Sequence, residues 1–350
     1  MGIRIRGTGM HVPEHVVDNH RLSLVMDTSD EWVQQRTGIV TRRFGAAGEA
    51  TSDVAVPAAR QALAEAGVAP TDVGYVVFAT MTPDYYFPGA GAILSNKLGL
   101  GHAPCLDIRQ QCAGFLFGLQ VSNALLQSEV APNVLLVGAE VHAGFMPWEW
   151  DIVLGESDRQ VTPERYAWNT RFRDRCVLFG DGAGAVVLTP GDEPDRGLLD
   201  VFLHTDGTLW DKMWTPAAGS AYRPYVAHEM IDSGDIVPIV EGREVFRTAV
   251  TYMPEAVQEI LRRNGLALDD VRLLVMHQAN LRINEAVQKR LGLPDDRVYN
   301  NIQKYGNTTA ATIPLLWDEA MRAGRIKEGD LVLMVAFGAG LNWGASLVRA

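Results

Sequence analysis

Residues 62–80 read ALAEAGVAPTDVGYVVFAT, and far downstream residues 260–278 read ILRRNGLALDDVRLLVMHQ. Laid over each other without a gap, they put Gly67 on Gly265, Asp72 on Asp270, Val73 on Val271 and Ala79 on His277. Each copy reads as the end of a helix, a glycine stop, an Asp-capped turn and a buried strand. A looser echo pairs the strand and helix around Cys112 with the segment around Asn307, where a polar turn again precedes a helix start rich in small residues. Apolar runs at 73–80, 134–138, 183–188, 271–277 and 331–337 alternate with amphipathic Ala- and Leu-rich stretches, an α/β pattern. The simplest account is two similar halves, 1–190 and 191–350, joined through the polar, turn-rich PGDEPDR at 190–196.

Composition narrows the function classes. The chain has 350 residues, 47% hydrophobic and 21% charged, enough to bury a sizeable core. Its formal charge of -11 repels nucleic acid and anionic lipid unless basic residues cluster locally. Three cysteines without a C-x-x-C pair make neither a disulfide framework nor a zinc site, so no metal is expected and a reducing, cytoplasmic setting fits best. The start, MGIRIRGTGMHVP, lacks an apolar signal core, and no uncharged run reaches the roughly 18 residues of a membrane span. Its Met-Gly opening is no myristoylation signal, because Arg6 stands where Ser or Thr is needed. GDGAGA lacks the dinucleotide spacing and no phosphate-loop motif occurs, so neither NAD nor ATP is expected.

Cys112 stands in DIRQQCAGFLFGLQVSNALL, where a strand-like entry gives way to a largely apolar helix. A sulfur at a helix N-terminus meets unpaired N–H groups and the positive end of the dipole, which favours thiolate and a lowered pKa. Cys105 and Cys176, inside apolar runs, read as inert core residues. His277 ends a buried strand in VMHQANLRIN, the position from which α/β sheets present groups to a ligand crevice, and Asn307 lies at a helix start in KYGNTTAAT.

Taken with DTSDEWVQQRTGI (27–39), QQCAGF, FGDGAGA (179–185), HQANLRI, GNTTAA and FGAGLNWGAS (337–346), the chain resembles the β-ketoacyl-acyl carrier protein synthase III family over essentially its whole length. The resemblance implies a thiolase-like fold, two pseudo-repeated halves forming a five-layered αβαβα core, and a homodimer. It implies acyl transfer from acyl-CoA to Cys112, then decarboxylative condensation with malonyl-acyl carrier protein, with no cofactor beyond the acyl-CoA substrate. His277 and Asn307 would bind the malonyl thioester oxygen, and the backbone amides of Cys112 and Ala339 would form the acyl oxyanion hole. Ala339 stands where relatives often have Gly, a tolerable departure for a backbone donor. Trp32, Arg36, Arg173 and Asn280 match CoA-binding positions, and Phe87 matches a residue that a neighbouring subunit sets in the floor of the acyl pocket.

Arg282, Lys289 and Arg290 follow His277 at i, i+7 and i+8 and so share one helix face, a candidate dock for an acidic carrier protein. Residues 144–173 carry about twenty more residues than shorter relatives have there and are rich in Trp, Tyr and Phe, suited to an extended acyl pocket, a lid or dimer surface. Same-fold alternatives are acyl transfer to another acceptor or a non-decarboxylative condensation; the latter would need a Glu base near Phe87, which no phenyl ring supplies. A non-catalytic partner subunit would lack Cys112, and a Cys–His–Asn hydrolase fits the whole-chain resemblance poorly.

Overall fold

In the computed structural model, which describes residues 2–146, 148–193 and 195–350, the two quoted stretches fold alike. Pro147, inside the aromatic stretch, and Pro194, inside the connecting PGDEPDR, lie outside the described residues, as does Met1. The helix Thr51–Ala66 stops at Gly67 (φ 67°), and the helix Gly242–Arg263 runs out just before Gly265 (φ 64°), a left-handed conformation that costs glycine little. A short 3-10 turn follows each, Pro70–Asp72 and Leu268–Asp270, and in the second the Asp270 carboxylate accepts the Ala267 N–H at 2.8 Å.

Strands β1 (Gly2–His11), β2 (His15–Asp18), β3 (Thr41–Phe44), β4 (Tyr75–Ala79), β5 (Cys105–Ile108), β6 (Val134–Glu140) and β7 (Gly182–Gly191) precede the connection. After it come β8 (Gly197–Thr205), β9 (Met213–Trp214), β10 (Ile239–Val240), β11 (Leu273–Met276), β12 (Val298–Tyr299), β13 (Leu331–Gly338) and β14 (Asn342–Arg349). β2 pairs with β3 and β9 with β10; the others form two five-stranded sheets, ordered β5-β4-β6-β7-β1 and β12-β11-β13-β14-β8. In both sheets the first three strands run parallel, and the last two each pair antiparallel to the neighbour before. The strands of the quoted stretches, β4 and β11, hold the same place in their sheets.

The five apolar runs are all strands: 73–80 and 271–277 are trimmed to Tyr75–Ala79 and Leu273–Met276, while 134–138, 183–188 and 331–337 extend to Val134–Glu140, Gly182–Gly191 and Leu331–Gly338. The outer strands β1 and β8 did not stand out among the apolar runs, because Arg, Asp and His interrupt them where side chains reach the surface.

Five layers follow from which faces are apolar. The helix Gly114–Gln127 and the helix Thr312–Arg322 lie between the sheets, and one buried cluster joins Phe115, Leu116 and Leu119 to Ile313, Leu316 and Trp317. Outside them, the helix Thr51–Ala66 covers the first sheet and the helix Gly242–Arg263 the second, each with its own buried cluster. This is the thiolase-like αβαβα arrangement.

Two excursions leave this frame on the same side. In the first, Trp148, Ile152, Val153 and Phe172 join Val33, Phe44 and Met26 in a fourth apolar cluster. In the second, between β8 and the helix Gly242–Arg263, the short helix His228–Ser233 meets the first: Trp168 Nε1–H donates to the Asp232 carbonyl at 3.2 Å, and the Phe172 ring lies against Gly234. Much of the aromatic stretch is therefore core, clasping one half to the other. Among the described residues no helix is long and apolar enough to cross a membrane.

Candidate active site

Gln111 and Thr309 are non-glycine residues with φ of 47° and 45°. Each begins a 3-10 turn, Gln111–Ala113 or Thr309–Ala311, that feeds a buried central helix. The looser echo in the sequence is thus a backbone repeat, and its two copies bring Cys112 and Asn307 to one cavity. That cavity holds about 1260 Å³ and is lined by Cys112, His277, Asn307 and Ala339 together with Trp32, Arg36 and Asn280. Gly338 shows how tightly its floor is built. A Cβ there would sit 2.9 Å from Cys112 Cβ and 3.0 Å from Cys112 N, so only glycine lets β13 approach the Cys112 backbone.

Cys112 differs from the expected thiolate. Burial, reinforced by the negative field of Glu140, pushes its thiol up to about 12, against which the local backbone N–H pulls only weakly. Glu140 ends β6 fully buried. It accepts the Thr82 hydroxyl at 2.6 Å, the Thr80 hydroxyl at 3.0 Å, and the Met81 and Thr82 N–H groups at 3.1 Å. The sulfur therefore rests as a thiol. Below its pKa the thiolate fraction rises tenfold per pH unit, so inactivation by iodoacetamide should climb about tenfold per unit from pH 7 to pH 10. A plateau near neutral pH would instead reveal an activated thiolate. Burial also pushes up the thiols of Cys105, which is half-buried, and Cys176, which is buried.

His277 follows β11 and is 2% exposed. Burial pushes its pKa down to about 3, so the imidazole is uncharged at any working pH. Its Nδ1 lies 2.7 Å from the Thr312 hydroxyl, while its Nε2 is buried without a hydrogen-bond partner. Asn307 is clamped by the backbone on either side of Phe179: its N–H donates to the Leu178 carbonyl at 2.8 Å and its carbonyl accepts the Gly180 N–H at 3.2 Å. Its side-chain Oδ1 accepts the Thr309 N–H at 2.8 Å, which leaves the Nδ2 donors for the cavity. Gln278 fixes the loop after His277, its Oε1 accepting the N–H groups of Asn301 and Ile302 at 3.2 Å.

Among the residues expected to contact CoA, Arg36 stacks over Trp32 at 4.4 Å and Arg173 at 5.0 Å; Arg173 also pairs with Asp27 at 2.8 Å. Asn280 caps the helix Leu281–Leu291 with its Oδ1. Phe87 is 87% exposed and does not line the chain's own cavity, although Tyr86 beside it does. The basic face is smaller than its spacing suggested. Arg282 donates to the Gln34 and Gln35 carbonyls, both at 3.0 Å, and pairs with Glu285, so it staples two helices together. Arg290 donates to the Val250 carbonyl at 2.8 Å, and Lys289 is exposed. Phe145, Trp150, Leu154 and Glu156 of the aromatic stretch reach the cavity wall. The sequence reading gave no role to Glu140, Gln278, Thr309 or Thr312, although Thr309 and Thr312 stand in the quoted KYGNTTAAT.

Residues 106–207 match the family model described as 3-oxoacyl-[acyl-carrier-protein] synthase III, and residues 261–350 match the model of its C-terminal part. A β-ketoacyl-[acyl-carrier-protein] synthase III of Caldanaerobacter subterraneus subsp. tengcongensis is 41% identical over 99% of this chain and 97% of its own. Among solved structures, the synthase III of Thermus thermophilus superposes with a TM-score of 0.85 at 38% identity, covering 99% of both chains. The priming β-ketosynthase of the R1128 polyketide biosynthetic pathway superposes with a TM-score of 0.83 at 30% identity, covering 99% of this chain and 96% of its own.

Proposed function

Since the chain belongs to the β-ketoacyl-[acyl-carrier-protein] synthase III family, we propose that it transfers an acyl group from acyl-CoA to Cys112 and then condenses it, with loss of carbon dioxide, with malonyl-acyl carrier protein. The observation that carries this reading is the meeting of a thiol, an uncharged imidazole and an amide donor in one cavity with Trp32 and Arg36.

In the first step Cys112 Sγ attacks the thioester carbonyl, the carbonyl oxygen becomes an oxyanion facing the N–H groups of Cys112 and Ala339, and CoA leaves as its thiol, taking up the proton that Cys112 gives up. A resting thiol suits this order, because the sulfur is deprotonated as the acyl group arrives. In the second step the malonyl thioester loses carbon dioxide and its oxygen gains the charge of an enolate. His277 and Asn307 donate to that oxygen. An uncharged imidazole stabilises it without offering the carbon a ready proton, and the low-dielectric surroundings strengthen both hydrogen bonds. The enolate carbon attacks the acyl-Cys112 carbonyl and the sulfur departs as thiolate, which takes up a proton from solvent, giving a β-ketoacyl-acyl carrier protein and the resting thiol. No resident metal or cofactor takes part.

In this reading Trp32, Arg36, Arg173 and Asn280 hold the CoA. Phe87, exposed in the single chain beside Tyr85 and the edge strand β5, belongs to a homodimer in which it gates the partner's acyl pocket. The halves 1–190 and 191–350 divide the labour, the sulfur on one and the donors on the other, and the enzyme works in the cytoplasm.

The test is an assay of carbon dioxide release and β-ketoacyl product from malonyl-acyl carrier protein with acyl-CoA of graded chain length; no product with any primer would overturn the reading. For carrier docking, Lys289→Glu should raise the KM for malonyl-acyl carrier protein and leave that for acyl-CoA nearly unchanged, with the wild-type carrier KM rising with salt. Arg282→Glu should also disturb acyl-CoA, because Arg282 is tied to the helix that carries Trp32 and Arg36. An unmoved carrier KM in Lys289→Glu would return this face to plain solvated surface.

A further inference from the structure

We infer that Arg109, set beside Tyr86 and Tyr225 on the cavity wall, is an anion subsite that takes the far carboxylate of a dicarboxylic acyl-CoA primer. The inference rests on the reading above and names the substrate class for its first step.

Three separate segments build the subsite. Arg109 follows β5, Tyr86 comes from the loop after β4, and Tyr225 comes from the excursion between β8 and the helix Gly242–Arg263. The Arg109 guanidinium stacks over the Tyr86 ring at 5.5 Å, the Tyr86 and Tyr225 rings lie 5.3 Å apart, and all three residues line the cavity that holds Cys112. Among the described residues the guanidinium has no carboxylate within ion-pair distance and donates no hydrogen bond. The aspartates on its own strand and on the Tyr86 loop are engaged elsewhere. Asp107 accepts the N–H groups of Ala90 and Gly91 at 2.6 and 2.8 Å, and Asp84 accepts the Ser52 N–H at 2.9 Å and faces Lys97 at 4.0 Å. A guanidinium stacked on a ring keeps its in-plane N–H groups, which match a carboxylate bidentately.

Position selects the ligand. Arg36 and Arg109 are the two cationic side chains on the described wall, and Arg36 is stacked on Trp32, where CoA is expected. Arg109 stands three residues before Cys112, so their Cα atoms are no more than about 11 Å apart. A chain carried on the sulfur therefore starts close to the guanidinium, and Met213, Trp214 and Ile239 give its methylenes an apolar wall. The malonyl carboxylate is the other anion at hand. Pairing it would stabilise the charge that must vanish as carbon dioxide leaves, favouring ground state over transition state and slowing the second step. The far carboxylate of a primer keeps its charge throughout, so pairing it opposes neither step.

The test follows acylation of Cys112 by intact mass with primers matched in carbon number: succinyl- and butyryl-CoA, glutaryl- and pentanoyl-CoA, adipoyl- and hexanoyl-CoA. In the wild type at least one carboxylate-ended primer should acylate faster than its uncharged match at low salt, and its advantage should shrink as salt rises. Arg109→Met, which keeps an unbranched stem, should cut the charged-to-uncharged ratio of that pair by a factor on the order of ten to a hundred, and Arg109→Lys should restore part of it. A ratio unmoved by Arg109→Met, even if both rates fall together, overturns the inference. A wild type that acylates with uncharged primers alone also overturns it and leaves the reading of the site standing, whereas a wild type that acylates with no primer overturns both.

Discussion

Cys112→Ala protein incubated with acyl-CoA should gain no mass, where the wild type gains one acyl group. The loss should be complete, because neither other cysteine can take over. Cys176 is buried, and Cys105 lies in β5, away from the cavity lining. Removing one sulfur from a half-buried position changes little packing, so the variant should melt close to the wild type and the missing mass will report chemistry. Intact-mass spectra over a panel of acyl-CoAs decide it, and in the wild type they also show which chain lengths are accepted. Acylation persisting at Cys105 or Cys176 would remove Cys112 from its role.

His277→Ala and Asn307→Ala should separate the half-reactions. On the proposed mechanism each deletes one donor to the enolate oxygen, a loss on the order of a hundredfold to a thousandfold in condensation. Self-acylation should survive in both. His277 Nε2 has no hydrogen-bond partner in the resting site, so it holds no proton shared with the sulfur and its removal takes no base from Cys112. Asn307→Ala carries an added cost, since the Thr309 N–H loses its acceptor and an unsatisfied buried donor costs about 1–3 kcal/mol. A melting curve for that variant keeps stability apart from rate. If either substitution stopped acylation as fully as Cys112→Ala, the division of labour would be wrong.

What could be read from the residues was whatever a repeat carries. The overlay of 62–80 on 260–278 marked equivalent strands, and the helix starts after Cys112 and Asn307 marked equivalent turns. What could not be read came from residues distant in sequence. A helix start favours thiolate, but burial, reinforced by the charge of Glu140 at the end of β6, reverses the shift. Spacing put Arg282 on a face with Lys289 and Arg290, yet gave no hint that the Gln34 and Gln35 carbonyls occupy its guanidinium. The aromatic stretch shows the same limit. Its composition suits a pocket wall or a clasp, and the residues divide between both uses, Phe145 and Trp150 lining the cavity and Phe172 lying against Gly234.

The central helices carry one more consequence. Gly114–Gln127 and Thr312–Arg322 share a single buried cluster with both sheets, so cutting the chain at the 190–196 connection would strip each fragment of the surface that covers its own innermost helix. Neither fragment is a module that could be lifted out, fused elsewhere or left to fold ahead of the other. Denaturation should register as one calorimetric event, not two. For an engineer, the sulfur and its two donors come as a single inseparable graft: a scaffold that borrows one must house both sheets, because the walls that position the chemistry also keep the molecule folded.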